Sequence, residues 1–177
     1  MAPTVAVIGA GPAGLMAAEV LSLAGVAVQV YDAMPSVGRK FLLAGKGGLN
    51  ITHAEPLPLF TTRYGARTHT IAPWLDGFGP EALRQWVHGL GIDTFVGSTQ
   101  RVFPADMKAA PLLRAWLHRL RHPSQGTPVG FHMRHRWLGD LRPTDAGWQM
   151  RFATPHGEQV VQAQAVVLAL GGGSWPR

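Results

Sequence analysis

The chain has 177 residues, 46% of them apolar, with 22 glycines, six tryptophans and no cysteine, and it carries a formal net charge of +6. That length holds one domain, or one domain with a small insert, and the apolar share belongs to a packed chain rather than a disordered one. Without cysteine there is no disulfide framework, thiolate metal site or thiol relay. The basic residues are scattered, apart from a loose run through Arg114, His118, Arg119, Arg121 and His122. At helical spacing such a run reads as a solvated face, so no nucleic-acid partner is expected.

Between Thr4 and Val30 the lone charge is Glu19. Glycines at 9, 11, 14 and 25 interrupt this apolar stretch where a strand–turn–helix needs them, so a cytoplasmic protein without a membrane span is expected, not a leader or anchor. Val5 to Ile8 reads as a short apolar strand, Ala13 to Ala24 as a helix stopped by Gly25, and Val26 to Tyr31 as a second strand ending at Asp32. Uniformly apolar strands on either side of a helix predict a parallel sheet covered on both faces.

From Ala33 to Ile51 the sequence reads as a long glycine-rich loop, and residues 52–78 carry too little periodicity to assign elements. Pro80 to Leu90 is predicted helical, with Pro in the first turn and Gly91 as its cap. Ala109 to Arg121 is a second predicted helix, with Leu112, Leu113, Trp116, Leu117 and Leu120 facing inward. Gly130–Leu141, Gly147–Ala153 and Glu158–Leu170 read as three strands of an antiparallel meander. Trp148, Met150 and Phe152 alternate as a half-buried strand should, and Ala165 to Leu170 is apolar enough to return to the buried parallel sheet.

One constellation carries chemistry. Gly9, Gly11 and Gly14, with Pro12 and Ala13 between them, follow a strand and open a helix, and Asp32 lies at the end of the next strand. Gly9 permits the tight turn, Gly11 lets backbone approach a pyrophosphate, and Gly14 allows close helix–strand packing. The helix N-terminus offers amides to the phosphates, while Asp32 accepts from ribose hydroxyls and repels a 2′-phosphate. This is the pattern of a dinucleotide site. Arg39 and Lys40 can pair with the pyrophosphate or lie on a solvated loop. Lys46, within the second glycine-dense stretch Ala44–Asn50, can place a positive charge beside a flavin ring or remain a surface lysine. His53 is a candidate acid–base group. His132 and His135 are three apart in one predicted strand, hence on opposite faces, and no metal site is expected.

The stretches VAVIGAGPAGLMAA, VGRKFLLAGKGGLNITH, RVFPADMKAAPLLRAWLHRL and VVLALGGGSWP together resemble the HI0933-like flavoproteins, also called the bile-acid dienone reductase family. The resemblance runs over essentially the whole chain. It implies an α/β, Rossmann-like FAD-binding domain with a parallel sheet and an antiparallel meander, spanning residues 1–177 with a loop and helical excursion at 52–107. It also implies that this is the N-terminal portion of a longer, truncated or split flavoprotein, without the inserted substrate domain and C-terminal part. By the same resemblance Gly9, Gly11, Pro12, Ala13 and Gly14 form the phosphate loop and Asp32 the ribose acid. Arg39 and Lys40 match the family's G-R-K, and Gly45, Gly48 and Asn50 its flavin-side loop. Trp137 falls near the adenine, and Ala169, Gly171 and Gly172 form the turn that passes the cofactor. Leu170 stands where Thr is usual, and Gln100 where Gly often precedes R-V-F-P.

The expected activity is transfer of a hydride from NAD(P)H through FAD to an unsaturated or carbonyl small molecule. Two alternatives stand beside it. One is a non-catalytic nucleotide-binding fragment or half of a split flavoprotein, completed by a C-terminal chain or by a second copy. The other is an NAD-binding dehydrogenase domain.

Overall fold

The computed structural model describes residues 4–172, arranged as two compact units. The first comprises residues 1–41 and 117–177, the second residues 42–116. Strand β1 (Thr4–Ile8) opens the first unit, followed by helix α1 (Pro12–Leu23) and strand β2 (Ala27–Asp32). Gly25 stops the helix as predicted: at φ +79° its N–H donates to Ser22 O at 2.9 Å, satisfying one of the last carbonyls.

The stretch expected to be a loop contains helix α2 (Arg39–Ala44) and a 3₁₀ turn at Gly45–Gly47. Residues 52–78, left unassigned from the sequence, hold strand β3 (Thr52–His53) and helices α3 (Leu57–Thr62) and α4 (Thr68–Gly77), with a 3₁₀ turn at Gly65–Arg67 between the helices. Helix α5 (Pro80–His88) lies where it was predicted. Strands β4 (Thr94–Val96) and β5 (Arg101–Pro104) join β3 in an antiparallel sheet of order β3–β5–β4. Helix α6 (Ala109–Arg121) begins in the second unit and ends in the first, and Leu112, Leu113 and Trp116 are buried as expected.

The remaining strands are β6 (Gly130–Met133), β7 (Arg136–Thr144), β8 (Gly147–Thr154), β9 (Gly157–Ala163) and β10 (Ala165–Leu168). They correct the expected meander at its two ends. The single strand predicted over Gly130–Leu141 is two strands in different sheets: β6 pairs parallel with β2, and β7 antiparallel with β8. Arg134, at φ +58°, turns the chain between them. The last predicted strand likewise divides at Gln164, so β9 closes the meander while β10 pairs parallel with β1, as the apolar run Ala165–Leu170 foretold. Leu168 and Leu170 nevertheless stay more than half exposed, because β10 is an edge strand of this sheet.

The result in the first unit is a four-stranded parallel sheet of order β10–β1–β2–β6 beside the three-stranded antiparallel sheet β7–β8–β9. Alternate residues of the parallel sheet, Ala6, Ile8 and Tyr31, pack with Met150, Phe152 and Ala163 of the antiparallel one in a single buried cluster. Helix α1 packs along β1, β2 and β10, burying Leu15 and Ala18. Its inward Glu19 meets Arg119 of α6 at 2.6 Å, so the buried carboxylate is paired. No helix among the described residues is long and apolar enough to cross a membrane.

Candidate functional site

A cavity of about 630 Å³ opens in the first unit at the C-terminal ends of β1 and β2, bordered by the Gly9–Gly14 loop. In open parallel sheets this is where ligands bind. Each glycine of the loop has its own reason. Gly9 sits at φ +114°, donates its N–H to Tyr31 O at 2.8 Å, and would place a Cβ 2.2 Å from Ala169 O. A Cβ on Gly14 would stand 1.9 Å from Gly9 O, inside the helix–loop contact. Gly11 differs: nothing of the chain lies within 4 Å of a Cβ built there, and its φ of −83° suits any residue. The packing of the chain does not require a glycine at that position. A ligand approaching the backbone does.

Gly11 is also the N-cap of α1, with no capping side chain and no acid in the first turn. The first-turn amides therefore face the cavity without an anionic side chain to meet them. Asp32 braces the loop from below. Its Oδ2 accepts the Ala10 N–H at 2.6 Å and its Oδ1 the Met34 N–H at 2.8 Å. Each oxygen keeps a second lone-pair direction, so the carboxylate is able to accept ribose hydroxyls as well. Gly38, at φ +68°, donates to Ala10 O at 3.0 Å and delivers Arg39 and Lys40 to the cavity rim.

The far wall comes from the break between β6 and β7, where His135, Arg136 and Trp137 line the cavity. Sequence reasoning named Trp137 and missed its two neighbours and Tyr31. Tyr31 stacks between His132 and Phe152 with ring centroids 4.6 Å away on each side. Burial pushes the Tyr31 hydroxyl up from its ordinary value. Burial, and next the neighbouring His135, push the His132 imidazole down. The expectation that the two histidines face opposite ways fails: the turn at Arg134 brings their rings to 5.5 Å. Among the described residues no group of three or more His, Cys, Asp or Glu could hold a metal ion. Ala169, Leu170, Gly171 and Gly172 close the cavity, with Ala169 N–H donating to Ile8 O at 2.8 Å. The last residues of the fourth motif, 173–176, lie outside the described residues.

The other predicted residues belong to the second unit and are described within it. A Cβ on Gly45 would come 2.6 Å from Ala109 Cβ, and one on Gly48, at φ +110°, 2.7 Å from Met107 Cε. Asn50 donates from Nδ2 to Thr52 O at 2.7 Å and Val102 O at 3.1 Å, tying the loop to β3 and β5. Lys46 is in the 3₁₀ turn, and its side chain lies outside the described residues. His53 lines a separate cavity of about 270 Å³ with Glu55, Asp76, Glu81 and Arg84, its Nδ1 3.3 Å from Glu55 Oε1. The Arg63 guanidinium, hydrogen-bonded to Glu55, holds that carboxyl below its usual range.

Residues 3–177 match the family model of the HI0933-like protein Rossmann domain. The chain belongs to this family. Over 52 residues it is 44% identical to the ribosomal RNA dihydrouridine synthase of Haemophilus influenzae, a match covering 29% of this chain and 13% of that protein. Among solved structures it resembles the 3-ketosteroid-Δ4-(5α)-dehydrogenase of Rhodococcus jostii (TM-score 0.63, 18% identity, 94% of this chain and 45% of that one). It also resembles the anhydrotetracycline hydroxylase OxyS of Streptomyces rimosus (TM-score 0.55, 20% identity, 98% and 32%). The p-nitrophenol 4-monooxygenase PnpA of Pseudomonas putida is a third (TM-score 0.54, 17% identity, 94% and 41%). The fold is thus one found in oxidoreductases. The chain spans less than half the length of each of these proteins.

Proposed function

We propose that this chain is the FAD-binding part of a cytoplasmic flavin-dependent oxidoreductase that takes its electrons from NAD(P)H. The observation that carries the reading is Gly11: open on its cavity side, at the uncapped N-terminus of α1, with Asp32 braced beneath it. In this reading the first-turn amides of α1 hold the pyrophosphate, and Asp32 the ribose of the adenosine half. Arg39 and Lys40 neutralise phosphate charge from the rim, and His135, Arg136 and Trp137 wall the adenine. Bound FAD supplies hydride transfer at its N5 atom. The chain's own part is to bind and orient it.

The test is retention of flavin. Purified protein, or apoprotein mixed with FAD and desalted, is expected to keep the flavin absorbance near ~450 nm; a colourless protein defeats the reading. A parallel titration with NAD separates the dehydrogenase alternative, since Asp32 alone suits either dinucleotide. Adding a C-terminal chain in the same assay tests whether a second chain completes the site.

A second reading sharpens the substrate. Reduction of uridine to dihydrouridine saturates the C5–C6 double bond of a uracil ring, so the activity named for the Haemophilus influenzae relative falls within the unsaturated class. Nucleoside mass analysis of RNA incubated with the full-length protein, FAD and NADPH is expected to show uridine gaining two hydrogens. A steroid or other small enone reduced in its place excludes this substrate.

A further inference from the structure

The second unit carries a surface feature that the cofactor site does not use. The stretch Leu57–Leu75 contains Arg63 and Arg67 and no acidic residue, with Phe60, Tyr64, His69 and Trp74 interleaved among them. On α4 the spacing places Arg67 (the N-cap), Thr70 and Trp74 along one line of the helix surface, and Phe78 (the C-cap) continues it. All four are exposed, Trp74 by 67%. The Trp74 indole has no ring contact and no hydrogen bond, and Arg67 no ion pair, among the described residues. Arg63 is different, its charge being taken by Glu55. Nearby Tyr64, 39% exposed, meets Phe60 edge-on at 5.9 Å. Asp76, two residues beyond Trp74, projects well away from the line.

An indole open to solvent and, two turns away on the same line of the helix, a guanidinium without an ion pair among the described residues present a ring face and a positive charge on one surface. A flat ring with an adjoining anion fits both: the base stacks on the indole and its phosphate meets the guanidinium. We infer that the Arg67–Thr70–Trp74 line of α4 is a docking surface for single-stranded RNA. The inference rests on the uracil-reduction reading, and it concerns a stacking line rather than the broad basic face that the scattered charges argue against. A protein partner would be served by Trp74 and Phe78 but would leave Arg67 without an acid to meet.

The test uses this chain and a fluorescein-labelled twelve-nucleotide oligouridylate, with anisotropy read across a salt series. Binding is expected, weakened roughly 5- to 150-fold by Trp74→Ala and largely restored by Trp74→Phe, as loss and return of one base stack predict. Arg67→Gln is expected to lower the slope of log affinity against log salt by about 0.7, one phosphate contact. Trp74 and Arg67 are surface residues, so both variants are expected to melt as the wild type does and to retain FAD equally. Absence of oligonucleotide binding, or binding indifferent to both variants, overturns the docking surface. So does self-association that Trp74→Ala abolishes while RNA binding persists. Dihydrouridine formation by the full-length Trp74→Ala protein at saturating RNA reports on the reductase reading separately, so the two can fail independently.

Discussion

Two glycine-dense loops, Gly9–Gly14 in the first unit and Gly45–Gly48 in the second, look equivalent by composition and differ in what surrounds them. Gly9 and Gly14 abut backbone oxygens, and Gly45 and Gly48 abut the side chains of Ala109 and Met107. Those four are needed by the fold itself. Gly11 and Gly47 both face open space, but only Gly11 caps a three-turn helix at the mouth of a large cavity. Glycine density therefore marks close packing as often as it marks a ligand. The informative glycine is the one whose side chain the protein could have accommodated.

The largest effect expected from this difference is at Gly14. Gly14→Ala drives a methyl into Gly9 O and should destabilise by about 3 kcal/mol, with FAD binding lost alongside, since overpacking at a rigid backbone contact has no cheap relaxation. Denaturant unfolding measures it. Gly48→Ala meets the flexible end of Met107 but keeps a φ of +110°, so only its backbone strain should appear, as a smaller loss.

The aromatic wall of the first unit is expected to make stability depend on pH. His132 has its folded-state pKa below the ordinary 6.5, because burial disfavours the imidazolium. Between those two values the unfolded chain binds more protons, so stability rises with pH across that window. The contribution is present above about 6.5 and is lost as pH falls through the lowered folded value. His132→Phe keeps a ring on Tyr31 and should remove this component from the pH dependence of the melting temperature. Asp140, held below its usual range by the hydrogen bond from Arg151, acts only in more acidic solution and leaves the window separable.

The smallest effect is expected in the second unit. Gln100 adopts φ +62°, a left-handed conformation that glycine takes without steric cost. Gln100→Gly should relieve the left-handed strain, for a gain of about 0.5 kcal/mol after the added chain entropy, visible as a slight rise in the urea midpoint.

The β1–α1–β2 unit and its site loop were legible because period, glycine placement and the terminal acid agree over a short span. The division between β6 and β7 was not, since Arg134 carries no signal for a left-handed turn and the apolar pattern runs through it. Helix α4 was hidden by Pro73 inside it, and α2 by its six-residue length amid glycines. Of the site, the phosphate loop and Asp32 could be read locally. Tyr31, His135 and Arg136 could not, because the pairing of β2 with β6, about a hundred residues apart, is what gathers them.

The most direct test is a calorimetric titration of FAD into wild-type protein and Gly11→Ala, with a thermal melt of each apoprotein. The account predicts melting temperatures that differ by no more than the modest N-cap preference of Gly over Ala, because no residue beyond the chain neighbours meets the new methyl, and an affinity for FAD at least about tenfold weaker, or 1.4 kcal/mol, in the variant. Equal affinities, or a wild type that binds no FAD, would contradict it.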